Sequence, residues 1–154
     1  MYKLTPQTMA YASYMESLEQ GTSVGASYAN YGALLDPLKS RQNEIGIKTE
    51  QERWAATAAV FRIEKKAEYT NASNEIVQDG LSVYQGVELG ASVRLGSAWE
   101  LGTSLMLLDT AYRKGAAYIG NRVAGAPKFI AAAQVSYQVP QVPGLKLVAN
   151  AKHT

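Results

Sequence analysis

Hydrophobic and polar side chains alternate along most of this chain. Over residues 83–95 the odd positions are Val83, Gln85, Val87, Leu89, Ala91, Val93 and Leu95, and the even ones are Tyr84, Gly86, Glu88, Gly90, Ser92 and Arg94. A strand turns successive side chains to opposite faces, so this segment predicts a strand with one apolar and one polar face. Residues 129–139 repeat the pattern, with Phe129, Ala131, Ala133, Val135, Tyr137 and Val139 on one side. Residues 41–49 oppose Ile45 and Ile47 to Gln42, Glu44, Gly46 and Lys48. Residues 54–66 are noisier: Thr57, Ala59, Phe61 and Ile63 oppose Arg62, Glu64 and Lys66, and 55–59 also suits a helix by propensity. Residues 8–19, 99–112 and 145–152 bring the total to about seven strands. Met1–Leu4 reads as the tail of a preceding strand.

The connections alternate between long (21–39, 69–80, 113–126) and short (50–53, 96–98, 140–144). The short ones carry turn chemistry, as in Pro140-Gln-Val-Pro-Gly144. Several strands exceed the roughly 5–6 residues usual in globular proteins and reach the roughly 9–11 that a tilted membrane-spanning strand needs. Long strands, unequal loops and two-faced alternation together match a transmembrane β-barrel. Tyr11, Tyr14, Trp54, Tyr69, Trp99, Tyr112 and Tyr137 lie near strand ends, as in interfacial aromatic girdles. A soluble β-sandwich alternates too. A soluble all-β binding or adhesion module is therefore the alternative reading.

Composition narrows the chemistry. Lys+Arg 15 against Asp+Glu 13 leaves a formal charge of +2, so nothing points to nucleic acid as a partner. With no Cys and 1 His in 154 residues, thiolate metal sites and disulfides are excluded and a His-based metal site is not expected. No apolar run reaches the roughly 20 residues of a transmembrane helix. No apolar segment follows Met1–Lys3 to make a signal peptide, so an exported protein would carry a further amino-terminal segment. Gly21-Thr-Ser23-Val-Gly25 matches a nucleophile elbow, and Ser23, Asp109 and His153 fall in hydrolase order. That motif needs a strand–turn–helix context, whereas here it opens a loop between strands. Neither a catalytic site nor a directly bound cofactor is expected. The carboxylate pairs Glu50/Glu52 and Glu64/Glu68 read as solvated or wall charges.

The most specific stretch is Leu35-Asp-Pro37-Leu-Lys-Ser40-Arg-Gln42-Asn-Glu44-Ile-Gly46-Ile-Lys48. It resembles the L-x-P-x-x-S-x-Q-x-E-x-G-x-K signature of the barrel domain of TonB-dependent siderophore receptors. Upstream Tyr11-Ala-Ser13-Tyr14, downstream Phe61-Arg-Ile63-Glu-Lys65, the run through Gly86, Glu88 and Leu89, and Gly120-Asn121-Arg-Val123-Ala-Gly125-Ala-Pro127 follow in the family's order. The resemblance covers essentially the whole chain and leans towards the ferrichrome-type branch.

The resemblance implies an antiparallel up-and-down meander, an open segment of a 22-stranded transmembrane barrel in the outer membrane of a Gram-negative bacterium. Residues 1–154 would form a fragment of that barrel without the plug or the carboxy-terminal strands. The ligand would be a ferric siderophore, carried as transported cargo. Outer-membrane lipid and, through the plug, the TonB complex would be the other partners. Gln42, Glu44, Lys48, Arg62, Glu64, Glu88, Ser92 and Arg94 are the candidate lumen-facing wall residues. Tyr28, Tyr31 and Tyr118 are candidate loop aromatics for the chelate, since tyrosine joins a large apolar body to a polar tip.

Overall fold

The computed structural model describes residues 1–115 and 119–154. Eight strands follow one another: β1 (Tyr2–Thr5), β2 (Thr8–Glu19), β3 (Leu38–Glu50), β4 (Trp54–Thr70), β5 (Ile76–Leu95), β6 (Trp99–Lys114), β7 (Phe129–Gln138) and β8 (Lys146–His153). They form one antiparallel sheet in strict sequence order, each strand hydrogen-bonded to its neighbour in the chain. This is the expected all-β meander, with β1 as one strand more than the seven. Residues 55–59 are strand: both edges of β4 are committed to ladders with β3 and β5, which override helix propensity.

The long connection expected over 69–80 is shorter than its sequence reads. Pairing continues past a bulge between Ala67 and Tyr69 to Thr70↔Ile76, leaving residues 71–75 as the tip. Asn71 closes that tip by accepting from the backbone N–H groups of Ser73 and Glu75, both at 2.9 Å. β4 and β5 thus reach 17 and 20 residues, well beyond a bilayer crossing. Turns 6–7, 51–53, 96–98 and 139–145 share one end of the sheet; loops 20–37, 71–75 and the described residues 119–128 share the other. Gly96, at φ +64°, makes the reversal between Leu95 and its partner Trp99.

Directly opposed residues of an antiparallel pair lie on the same side, so the register sorts every side chain. One row runs Ala12, Ile45, Val60, Val87, Leu107, Phe129, and the next Ala10, Ile47, Ala58, Leu89, Leu105, Ala131. Towards the short turns come Trp54, Val93, Leu101, Val135, Ala149 and then Leu95, Trp99, Tyr137, Leu147. The rings of Trp99 and Tyr137 lie 4.4 Å apart at that end. Towards the long loops the same face turns polar, in the row Tyr14, Asn43, Arg62, Gln85, Asp109. Between these limits the face is apolar for about 27 Å along the strands, or about 20 Å once tilted, broken by the threonines of the row Thr8, Thr49, Ala56, Ala91, Thr103, Ala133.

No second layer seals this face among the described residues. Ile45 is 64% exposed and Val60 53%, and the buried hydrophobic residues are Val24, Ala59 and Val83. The accessible surface is 10529 Å², against about 7,600 Å² for a folded monomer of this mass. A sandwich would have covered one side of the sheet with the other half of the chain.

Candidate functional site

The opposite face carries the polar side chains. Gln42, Glu44 and Lys48 of β3 share it with Glu88, Ser92 and Arg94 of β5, through intervening Phe61, Ala59, Thr57 and Ala55 of β4. Arg62 and Glu64 do not share it. Arg62 is opposed by Gln85 and Glu64 by Val83, both on the face of Val87 and Leu89. The expected wall of eight residues therefore divides into six and two. Arg62 Nη1 donates to Gln85 Oε1 at 2.9 Å, and its Nη2 lies 3.0 Å from Glu64 Oε1, just beyond the apolar rows.

A compact cluster stands on the polar face. Tyr11 OH donates to Glu44 Oε1 at 2.6 Å, and Gln42 Nε2 donates to Glu44 Oε2 at 3.1 Å. Lys48 Nζ sits 4.8 Å from the centre of the Tyr11 ring, within cation–π range. Tyr11 can lie flat across β3 because Gly46 is opposite; a Cβ there would meet the ring at 2.5 Å. Tyr11 was expected in the aromatic girdle and belongs instead to this cluster, as Tyr112 belongs to the polar face beside Ser82. Tyr14, Trp54, Trp99 and Tyr137 stay on the apolar face. Tyr69 lies against Gly115 at the loop end. The signal for Tyr11 was Gly46 between two charged neighbours, a gap that only an aromatic from the next strand fills.

The long-loop end holds the tyrosine candidates. Loop 20–37 folds into a small ribbon, with Ser23 bridged to Leu34. Tyr31 N–H donates to Tyr28 O at 3.1 Å, closing one turn that carries both rings. Tyr28 is half-buried and Tyr31 is 70% exposed. Tyr118 lies outside the described residues. Gly120 and Asn121 fold back onto β6 through Tyr112, and Val123 N–H donates to the buried Thr110 hydroxyl at 3.2 Å. The Gly21–Gly25 motif makes no elbow. Asp109 of β6 is opposed by Gln85 of β5 and His153 of β8 by Ala131 of β7, on different parts of the sheet, so no triad is built around Ser23. Nothing in the sequence marks Asn30 and Asn74, which tie two loops together; isolated asparagines in loops give no sign of their partners.

A single two-faced meander, with short turns at one end and built loops at the other, is a piece of barrel wall. The family model described as TonB dependent receptor-like, beta-barrel matches residues 1–153. The chain belongs to this family. The ferrichrome receptor FcuA of Yersinia enterocolitica is 29% identical over 153 residues, covering 94% of this chain and 20% of the relative. The chain thus spans about a fifth of the length of that relative. The crystal structure of BauA, the ferric preacinetobactin receptor of Acinetobacter baumannii, superposes with a TM-score of 0.76 at 25% identity, over 97% of this chain and 23% of that one. FyuA, the ferric yersiniabactin uptake receptor of Yersinia pestis, gives 0.76 at 20% identity, over 96% and 23%, a likeness of fold. These relatives are receptors, and the barrel-wall fold agrees with theirs.

Proposed function

We propose that this chain is wall and loop of an outer-membrane receptor that binds and imports ferric siderophores with energy relayed through TonB. Residues 1–154 are part of its barrel domain. The observation that carries the reading is the register-aligned apolar band, bounded by Trp54, Trp99 and Tyr137 on one side and by Arg62, Gln85 and Asp109 on the other. Such a band fits the hydrocarbon of a bilayer, with aromatic and polar side chains at its two limits. The band faces lipid, and the face of Gln42, Glu44, Lys48, Glu88, Ser92 and Arg94 lines the lumen.

The receptor's work on this reading is binding and passage, with no covalent step. The chelate meets the loop end, where Tyr28 and Tyr31 offer aromatic bodies with polar tips. Behind them the lumen wall supplies paired charges and amides that keep the passage hydrated. The plug and its TonB contact belong to the rest of the receptor. The similarity to a ferrichrome receptor favours a hydroxamate chelate.

Uptake of radiolabelled iron supplied as ferrichrome tests this in a Gram-negative strain lacking its own hydroxamate receptors. Expression of the complete receptor should restore uptake, and loss of TonB should abolish it. Uptake that persists without TonB would sink the energised-transport reading. Binding of another ferric chelate in place of ferrichrome would sink only the hydroxamate assignment.

A further inference from the structure

Loop 20–37 is tied down twice. It first closes on itself: Val24 N–H donates to Ala33 O at 2.9 Å, Gly32 N–H to Val24 O at 3.1 Å and Leu35 N–H to Thr22 O at 3.0 Å, with Val24 buried. Its outer turn is then fastened to the neighbouring β4–β5 tip. Asn30 engages one backbone residue with both ends of its amide, Nδ2 donating to Ile76 O at 3.0 Å and Oδ1 accepting from Ile76 N–H at 3.1 Å. Asn74 answers from the tip. Its carbonyl accepts from Ala29 N–H at 2.8 Å, and its Nδ2 donates to Ser27 O at 3.0 Å. Asn74 holds φ +59° to do so, a region few residues other than glycine and asparagine enter.

The β4–β5 hairpin has its own closure through Thr70↔Ile76 and the Asn71 turn. The Asn30 and Asn74 bonds therefore serve the loop rather than the hairpin. They hold the backbone of Ser27 and Ala29 on either side of Tyr28, and the side chain of Asn30 next to Tyr31. We propose that Asn30 and Asn74 are positioning residues that clasp loop 20–37 to the β4–β5 tip and present Tyr28 and Tyr31 to the ferric chelate as a preset pair. This rests on the receptor reading above. A loop ordered beforehand removes the ordering cost from binding, so the clasp acts on affinity and leaves later transport untouched.

The test uses the complete receptor in detergent, spin-labelled at Leu34, which is 79% exposed on the clasped loop. A control label sits at Val60 on β4. The variants are Asn30→Ala and Asn74→Gly; glycine keeps the left-handed backbone and deletes only the side-chain bond. Each variant should raise label mobility at Leu34 and leave Val60 unchanged. Each should also raise the ferrichrome dissociation constant about tenfold, with an unchanged uptake rate at saturating ferrichrome. Unchanged mobility at Leu34 overturns the clasp. Raised mobility with unchanged affinity overturns the positioning role while the receptor reading stands. Failure of the unsubstituted receptor to bind ferrichrome overturns the hydroxamate reading and the positioning role with it, and the mobility data still decide the clasp.

Discussion

At the scale of single residues, Gly46 and Leu89 decide the most. Gly46 is required by a close approach, since the Tyr11 ring occupies the space a Cβ would take. Gly46→Val should displace that ring, break its bond to Glu44 and cost about 1–3 kcal/mol by overpacking. Urea unfolding of the complete barrel measures this, and adding Tyr11→Ala should recover part of the loss. A double variant as unstable as the single one would refute the steric account. Leu89 lies within the apolar rows, with Ala58 and Leu105 beside it. Leu89→Arg should cost about 2–4 kcal/mol, the penalty for arginine deep in the bilayer on a barrel's outer face. Ser92→Arg points to the polar face and should be milder. The yield of assembled barrel in outer membranes compares them, and equal yields would reverse the facing proposed here.

At the scale of elements, alternation made the strands of 83–95, 129–139 and 41–49 legible, because a strand that is apolar on one side only must show period two. It placed Gln85 with Val87 and Leu89 correctly. It could not place β4 against β5, since Ala55, Ala56, Ala58 and Ala59 leave both faces of β4 alike and parity had to be taken from Arg62 and Glu64. Those charges lie past the end of the apolar band, where the same face turns polar. Register settled this, and a one-residue slip would have reversed it. The tip at 71–75 is hidden in the sequence for a related reason: polar strand ends beyond the apolar band look like loop. The revised parity makes a prediction. A cysteine replacing Arg62 should react with a membrane-impermeant maleimide added to intact cells expressing the receptor, and a cysteine replacing Leu89 should not. Protection of position 62 with labelling at position 89 would move the polar boundary and the band with it.

At the scale of the whole molecule, this sheet does not complete itself. A sheet can end in water, but an end within hydrocarbon leaves backbone donors and acceptors unpaired at several kcal/mol each. Among the described residues β1 and β8 each pair on one side only, and within hydrocarbon both edges would need a partner strand. Water is no better a solvent for the isolated chain. The surface exceeds that of a globular protein of equal mass by about 2,900 Å², and Ile45, Val60, Leu105 and Leu107 stand exposed on one continuous face. Apolar area of that extent drives association, and the bare edges give it a route through strand pairing. Residues 1–154 purified alone should therefore elute as large assemblies in plain buffer and stay dispersed only with detergent. Size-exclusion chromatography with light scattering checks this. A monodisperse monomer in buffer, with widely dispersed amide resonances, would mean that the chain covers its own apolar face. Such folding needs contacts across the sheet, whereas among the described residues the ladders join strands adjacent in sequence.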